Sequence, residues 1–149
     1  MGRRKVILKK VIYLIGSLRN PKIVSIGNKL RELGYEAFDS WWAAGYEADD
    51  KWQEYSKSRN LTYEEALQDY SAQHVFNFDK THLERCDIGV LVMPAGSSGH
   101  LEFGYLIGKG KPGYILFEKK PARFEIMHNF ATQIFFNVES LHKCLKNSL

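Results

Sequence analysis

The stretch PAGSSGHLEFGYLIGKGKP, residues 94–112, places one acid, Glu102, at the head of an otherwise apolar helical pattern, just after a run of glycine, serine and histidine. A carboxylate set among Phe103, Tyr105, Leu106 and Ile107 can attack an electrophilic carbon or stabilise an oxocarbenium-like centre. It can equally be an acid that favours the positive end of a helix dipole. The loop before it supplies Gly96, Ser97, Ser98 and His100. Glycine lets backbone N–H groups come close to a ligand, serine adds hydroxyl donors, and a helix N-terminus attracts anions, so phosphate is the natural guest. A tight turn capped by serine would look the same. The phosphate-loop pattern is absent, because Lys109 and Lys111 follow the helix instead of opening it, and GxGxxG is absent too. A second carboxylate, Asp79, lies in FNFDKTHLERCD and is also what an exposed helix acid looks like.

These groups need a scaffold, and hydrophobic periodicity predicts one. KVIYLIGS, residues 10–17, is a continuous apolar run ending in Gly-Ser, as a buried parallel strand should be. Pro21 then opens a helix with Ile23, Ile26, Leu30 and Leu33 at helical spacing, stopped by Gly34. Residues 35–38, 87–93 and 113–117 read as further strands, and 132–136 as a fifth. Thr62 and Glu65 form a capping box that launches a long helix toward Cys86. Residues 102–109 read as a helix closed by Gly110, and 138–145 as the last helix. Residues 39–60 are polar overall yet carry three tryptophans and two tyrosines.

Strand and helix alternating with short connections predict an α/β fold: a single flavodoxin- or Rossmann-like domain, residues 1–149, with a parallel sheet of about five strands and helices on both faces. Ligands in such folds bind beyond the carboxyl ends of the strands, near the switch point of strand order. Three segments end there: Gly16-Ser17-Leu18-Arg19, the stretch 39–42 with Trp41 and Trp42, and residues 94–100.

Composition narrows the class. Much of the formal charge of +4 sits in the first ten residues, and the excess is too small for a nucleic-acid polymer partner. That opening segment, broken by Lys9 and Lys10, lacks the apolar run and cleavage site of a signal peptide. No stretch approaches the length of a membrane span. Cys86 and Cys144 do not make a disulfide framework, and no Cys/His spacing matches a zinc site. The expectation is a cytoplasmic protein with no metal, no cofactor and no membrane association.

KVIYLIGSLRN, FDKTHLERCDIGVLV and SSGHLEFGYLIGKGKPGYIL, in that order, resemble the nucleoside 2-deoxyribosyltransferase superfamily, which includes N-glycosidases of nucleoside monophosphates. The likeness covers roughly residues 10–116. It implies cleavage of an N-glycosidic bond in a small-molecule nucleoside or nucleotide, with Glu102 in the place of the family nucleophile and Asp79 as the acid assisting at the base or ribose. Transferases of free nucleosides carry an aspartate where this chain has Ala95, Gly96, Ser97 and Ser98. Monophosphate hydrolases place a serine there for the 5′-phosphate, a role that fits Ser97 or Ser98. Arg19 is placed for the same phosphate, Tyr13, Trp41 and Trp42 for stacking on the base, and His100 for ribose or phosphate. The resemblance also implies a homodimer or higher homo-oligomer, with residues 41–55 as a contact surface. A nucleotide-sensing module without turnover and a Toll/interleukin-receptor-like NAD glycohydrolase are the competing readings.

Overall fold

The computed structural model describes residues 8–148; the basic segment 1–7, read above as no signal peptide, and residue 149 lie outside them. Five strands, β1 (Val11–Ile15), β2 (Glu36–Phe38), β3 (Ile88–Val92), β4 (Gly113–Leu116) and β5 (Gln133–Phe135), pair in parallel in the order β2-β1-β3-β4-β5. The order reverses between β1 and β3, which is the switch point of a flavodoxin-like sheet. β3 and β4 are buried along their whole length, so their apolar runs are continuous instead of alternating.

The period-two direction of side chains divides the core in two. Ile12 and Leu14 of β1 point with Val90, Val92 and Leu116 toward α1 (Ile23–Glu32) and α6 (Val138–Ser148), meeting Leu30, Leu141 and Leu145. Tyr13 and Ile15 point with Leu91 and Ile115 toward α4 (Tyr70–Arg85) and α5 (Ser97–Gly108), meeting Leu83, Phe103 and Leu106. Helices therefore cover both faces, as expected. Truncating Leu106, which is fully buried, to alanine would cost about 2–5 kcal/mol.

α5 lies close on the sheet because the contacts beneath it are small. A Cβ on Gly89 would meet Leu106 Cδ1 at 2.3 Å, so only glycine fits under that leucine. Gly99 is likewise buried, with Ile15 Cγ2 and Ala95 Cβ each 3.3 Å from where its Cβ would be. This packing explains one departure from the sequence reading. The helix expected at 102–109 begins five residues earlier, at Ser97, because Gly99, Phe103 and Leu106 form one buried stripe. Glu102 is therefore in the second turn and not at the helix entrance.

The long helix expected from Thr62 to Cys86 is also different. The capping box forms, with Glu65 N donating to Thr62 Oγ1 and Thr62 N to Glu65 Oε1. However, it starts a short α3 (Tyr63–Gln68), which stops at Asp69 in extended conformation. Arg59, just past α2 (Ala48–Ser58), holds the Asp69 carboxylate at 2.7 Å, and Asp69 then precedes α4. The Gly-Lys-Pro stretch fixes the other end of α4: Lys111 Nζ donates to the carbonyls of Leu83 and Glu84. Tyr105 Oη of α5 donates to Glu84 Oε1 at 2.8 Å, so α4 and α5 are tied side by side.

Candidate active site

That tie brings two acids from separate helices under the same tyrosine. Tyr13 sits mid-strand in β1, beside Gly89 of β3 and Phe38 of β2, and is fully buried. The hydroxyl abuts the Glu102 carboxyl without completing a hydrogen bond of ordinary geometry. Asp79 approaches from α4, with Oδ1 buried and no partner among protein atoms. Two buried, unpartnered polar atoms side by side are rare in a finished core and mark a place where polar chemistry is accommodated.

Electrostatics follows from burial. Desolvation and then the charge of Asp79 push the Glu102 carboxyl up to about 7, against the opposing pull of the Tyr13 hydroxyl. Burial raises Asp79 to about 6. The Tyr13 hydroxyl is driven far above its ordinary range, by burial first and then by Glu102 and Asp79. Two carboxyl groups that interact in a half-buried site hold a proton between them near neutrality. A helix N-terminus would keep a carboxyl ionised, but Glu102 lies a turn deeper and burial dominates.

The desolvating wall includes residues that the sequence reading passed over. Phe38 packs on Tyr13 with ring centroids 5.1 Å apart, and His82 stacks on Phe38 at 3.9 Å. Phe78 meets both rings with part of its side chain still exposed, and Phe76 is more exposed still. His82 is three residues after Asp79 and so on the same side of α4, the one signal that could have pointed to it.

The three loops at the carboxyl edge are placed as follows. Ser17 Oγ accepts from Arg19 N, and Arg19 reaches outward to Asp50 of α2 at 3.7 Å. Gly16 lies at the end of β1 beneath the Trp41 ring. Trp41 Nε1 donates to Leu14 O at 2.7 Å and its ring borders both core layers. Trp42 Nε1 donates to Asn20 O at 2.9 Å, and its ring packs on the α1 side, away from Glu102. Gly96 caps α5 with no side-chain bond, so the first-turn N–H groups of exposed Ser97 and Ser98 lack intrahelical partners.

His100 is not brought to Glu102. Residues two apart on a helix point about 200° apart, and the His100 Nε2 lies 3.0 Å from Nε2 of His128. His128 belongs to a 3-10 turn, Ile126–Phe130, that precedes β5. Two clefts form elsewhere. One of about 410 Å³ is bordered by Lys9, Arg31 and Glu36, and one of about 160 Å³ by Asn20, Met93, Phe117 and Val138; Glu102 borders neither. Among the described residues, no cluster of three or more His, Cys, Asp or Glu is arranged to hold a metal ion, and no helix is long and apolar enough to cross a membrane.

Comparison with solved structures identifies the architecture. The chain superposes on a 2-deoxyribosyltransferase from Bacillus psychrosaccharolyticus with a TM-score of 0.62 at 16% identity, over 89% of this chain and 90% of that one. It also superposes on the CMP N-glycosidase of Clostridium botulinum with a TM-score of 0.53 at 16% identity, over 92% of this chain and 99% of that one. At that identity the likeness is one of fold, and the fold is the one that the sequence resemblance implied. No protein-family model matches the chain, and no curated protein matches its sequence.

Proposed function

We propose that the chain cleaves the N-glycosidic bond of a nucleoside or nucleoside 5′-monophosphate with Glu102 as nucleophile. The convergence of Glu102, Asp79 and Tyr13 in one desolvated spot carries this reading. The sequence resemblance and the shared fold of a deoxyribosyltransferase and a CMP N-glycosidase support it.

In the first step a Glu102 carboxylate oxygen bonds to the anomeric carbon as the bond from that carbon to the base nitrogen breaks. The electron pair leaves with the base, and protonated Asp79 supplies the proton that the base needs. Water then hydrolyses the glycosyl ester, or a second base takes the sugar. The reactive form has the proton on Asp79 and the charge on Glu102. With Glu102 near 7 and Asp79 near 6, it is about tenfold rarer than the reverse form in the free site, a cost of about 1.4 kcal/mol. Positive charge developing on the sugar favours ionised Glu102 and offsets that cost. Tyr13, too weak an acid to ionise here, orients the carboxylate.

Preference for a 5′-phosphate is supported by the uncapped start of α5, the hydroxyls of Ser97 and Ser98, and Arg19 on the adjoining loop. A homo-oligomer is supported by exposed apolar side chains around the site: Val75, Phe76 and Phe78 on α4, Leu101 on α5, and Phe124, Ile126, Met127 and Phe130 beyond β4. The expected surface at 41–55 adds exposed Tyr46 and Tyr55, while the indoles of Trp41 and Trp42 are spent on internal hydrogen bonds.

The deciding experiment incubates the protein with a panel of nucleosides, nucleoside monophosphates and NAD and measures released base by chromatography. Release from nucleosides or monophosphates supports this reading. Release from NAD alone favours a NAD glycohydrolase, and binding without release favours a sensing module.

A further inference from the structure

The His100–His128 pair has a determinate hydrogen-bond order. His100 Nδ1 lies 2.8 Å from the carbonyl oxygen of Gly96, and a carbonyl only accepts, so Nδ1 carries the proton. In neutral His100 the other nitrogen, Nε2, is then an acceptor. His128 Nε2, 3.0 Å away, must be its donor. The ring planes are 9° apart, and their centroids are 5.3 Å apart, longer than the N···N distance by roughly two ring radii. The rings therefore lie edge to edge along one N–H···N line, which leaves no space for a bridging metal ion.

The groups packed on His128 are His100 from α5, Phe117 beyond β4, and Glu125 from its own turn. Burial and the neighbouring imidazole hold His128 below the usual histidine range, against the pull of Glu125, which keeps it the neutral donor this order requires. Gly96 O also accepts the backbone N–H of His100 at 3.2 Å. The chain of bonds from His128 through His100 thus ends on the N-cap residue that aims the N–H groups of Ser97 and Ser98.

We propose that His128 is a positioning residue for the Gly96–Ser98 turn: the bond it donates to Nε2 holds the His100 ring where Nδ1–H reaches the Gly96 carbonyl. The step from that turn to substrate rests on the phosphate role proposed above. The positioning claim does not.

The test compares His128→Leu, which removes the donor, with His128→Gln, whose amide can replace it. Nitrogen-15 NMR of the wild type above neutral pH should show a pyrrole-like Nδ1 and a pyridine-like Nε2 for His100. His128→Leu should move the Nε2 resonance of His100 and the amide resonances of Ser97 and Ser98, while His128→Gln should keep both near their wild-type positions. With a monophosphate substrate, KM should rise about fivefold in the leucine variant at little change in kcat, and return in the glutamine variant. Unchanged His100 Nε2 and unchanged Ser97 and Ser98 amides in His128→Leu would overturn the proposal. So would equal KM losses in both variants. If no substrate releases base, the functional reading fails, and the NMR comparison still decides this one.

Discussion

Glu102 of α5 and Asp79 of α4 lie near enough for the charge of one to hold a proton on the other, although 23 positions separate them in the chain. The relationship depends on the α4–α5 ties made by Lys111 and by the Tyr105–Glu84 bond. It also depends on a tyrosine from the central sheet that shields both acids from water. A site assembled this way is specific about what each acid does, and each role can be tested alone.

Removing the nucleophile should abolish base release without unfolding the chain. Glu102→Ala is expected to lower kcat/KM at least a thousandfold, about 4 kcal/mol of barrier. Circular dichroism should be unchanged, because Glu102 makes no ion pair among the described residues. Activity within about tenfold of wild type would remove Glu102 from the chemistry.

The same carboxyl should destabilise the fold at high pH. The folded state holds the Glu102 proton more tightly than the unfolded chain does, from an ordinary value of 4.5 up to about 7. Its contribution is therefore fully present below about 4.5 and is lost as pH rises through about 7. That difference corresponds to about 3 kcal/mol, an order-of-magnitude figure. Glu102→Gln, which cannot ionise, should gain stability over wild type between about pH 5 and about pH 8 in urea unfolding. Parallel curves at both pH values would mean that the carboxylate is well solvated.

A phosphate site at the start of α5 should show as a binding effect. The double variant Ser97→Ala, Ser98→Ala, and separately Arg19→Ala, should raise KM for a monophosphate about tenfold, roughly 1.4 kcal/mol each. KM for the matching nucleoside should hardly change. Equal kcat/KM for monophosphate and nucleoside in the wild type would show that the turn does not serve phosphate.

Much of this architecture was readable in the sequence because burial on both faces writes itself plainly. DIGVLVM and KVIYLIGS cannot be anything but inner strands once helices alternate with them. The break at Asp69 was not readable, since it depends on Arg59 reaching ten residues along the chain to hold a carboxylate. The true start of α5 was hidden because Gly-Ser-Ser-Gly-His has the local preferences of a loop, and only packing of Gly99 on Ile15 and Leu91 makes it helical. Glu102, Asp79 and Tyr13 were all singled out from sequence, but their protonation order was not, because it is set by side chains that meet only in three dimensions. The His100–His128 pair, 28 residues apart, left no local pattern at all.

Exposed apolar surface beside the site should bring copies of the chain together. Leu101, next to Glu102 in sequence, is 75% exposed, and Phe76 and Phe78 are exposed on the neighbouring helix. Light scattering at about micromolar concentration should give a dimer or a dimer of dimers, and Leu101→Asp should reduce the mass by placing a charge within an apolar contact. A monomeric wild-type mass would count against this.

The final expectation concerns Asp79 and pH. The productive form needs Glu102 charged and Asp79 protonated, so kcat/KM should be bell-shaped, with its maximum between the two values near 6 and near 7. The acid limb reports loss of the Glu102 charge, and the alkaline limb reports loss of the proton from the pair. Asp79→Asn removes the group that must stay protonated, so its profile should rise to a plateau with no alkaline limb. The remaining limb then reports Glu102 beside a neutral neighbour, as in the productive form, and should not move to lower pH. Ground-state binding should be largely retained, with the loss concentrated in kcat for bases that leave poorly and smaller for bases that need no proton. If Asp79→Asn keeps both the rate and the alkaline limb, the proton comes from another group, and Asp79 serves only to tune Glu102.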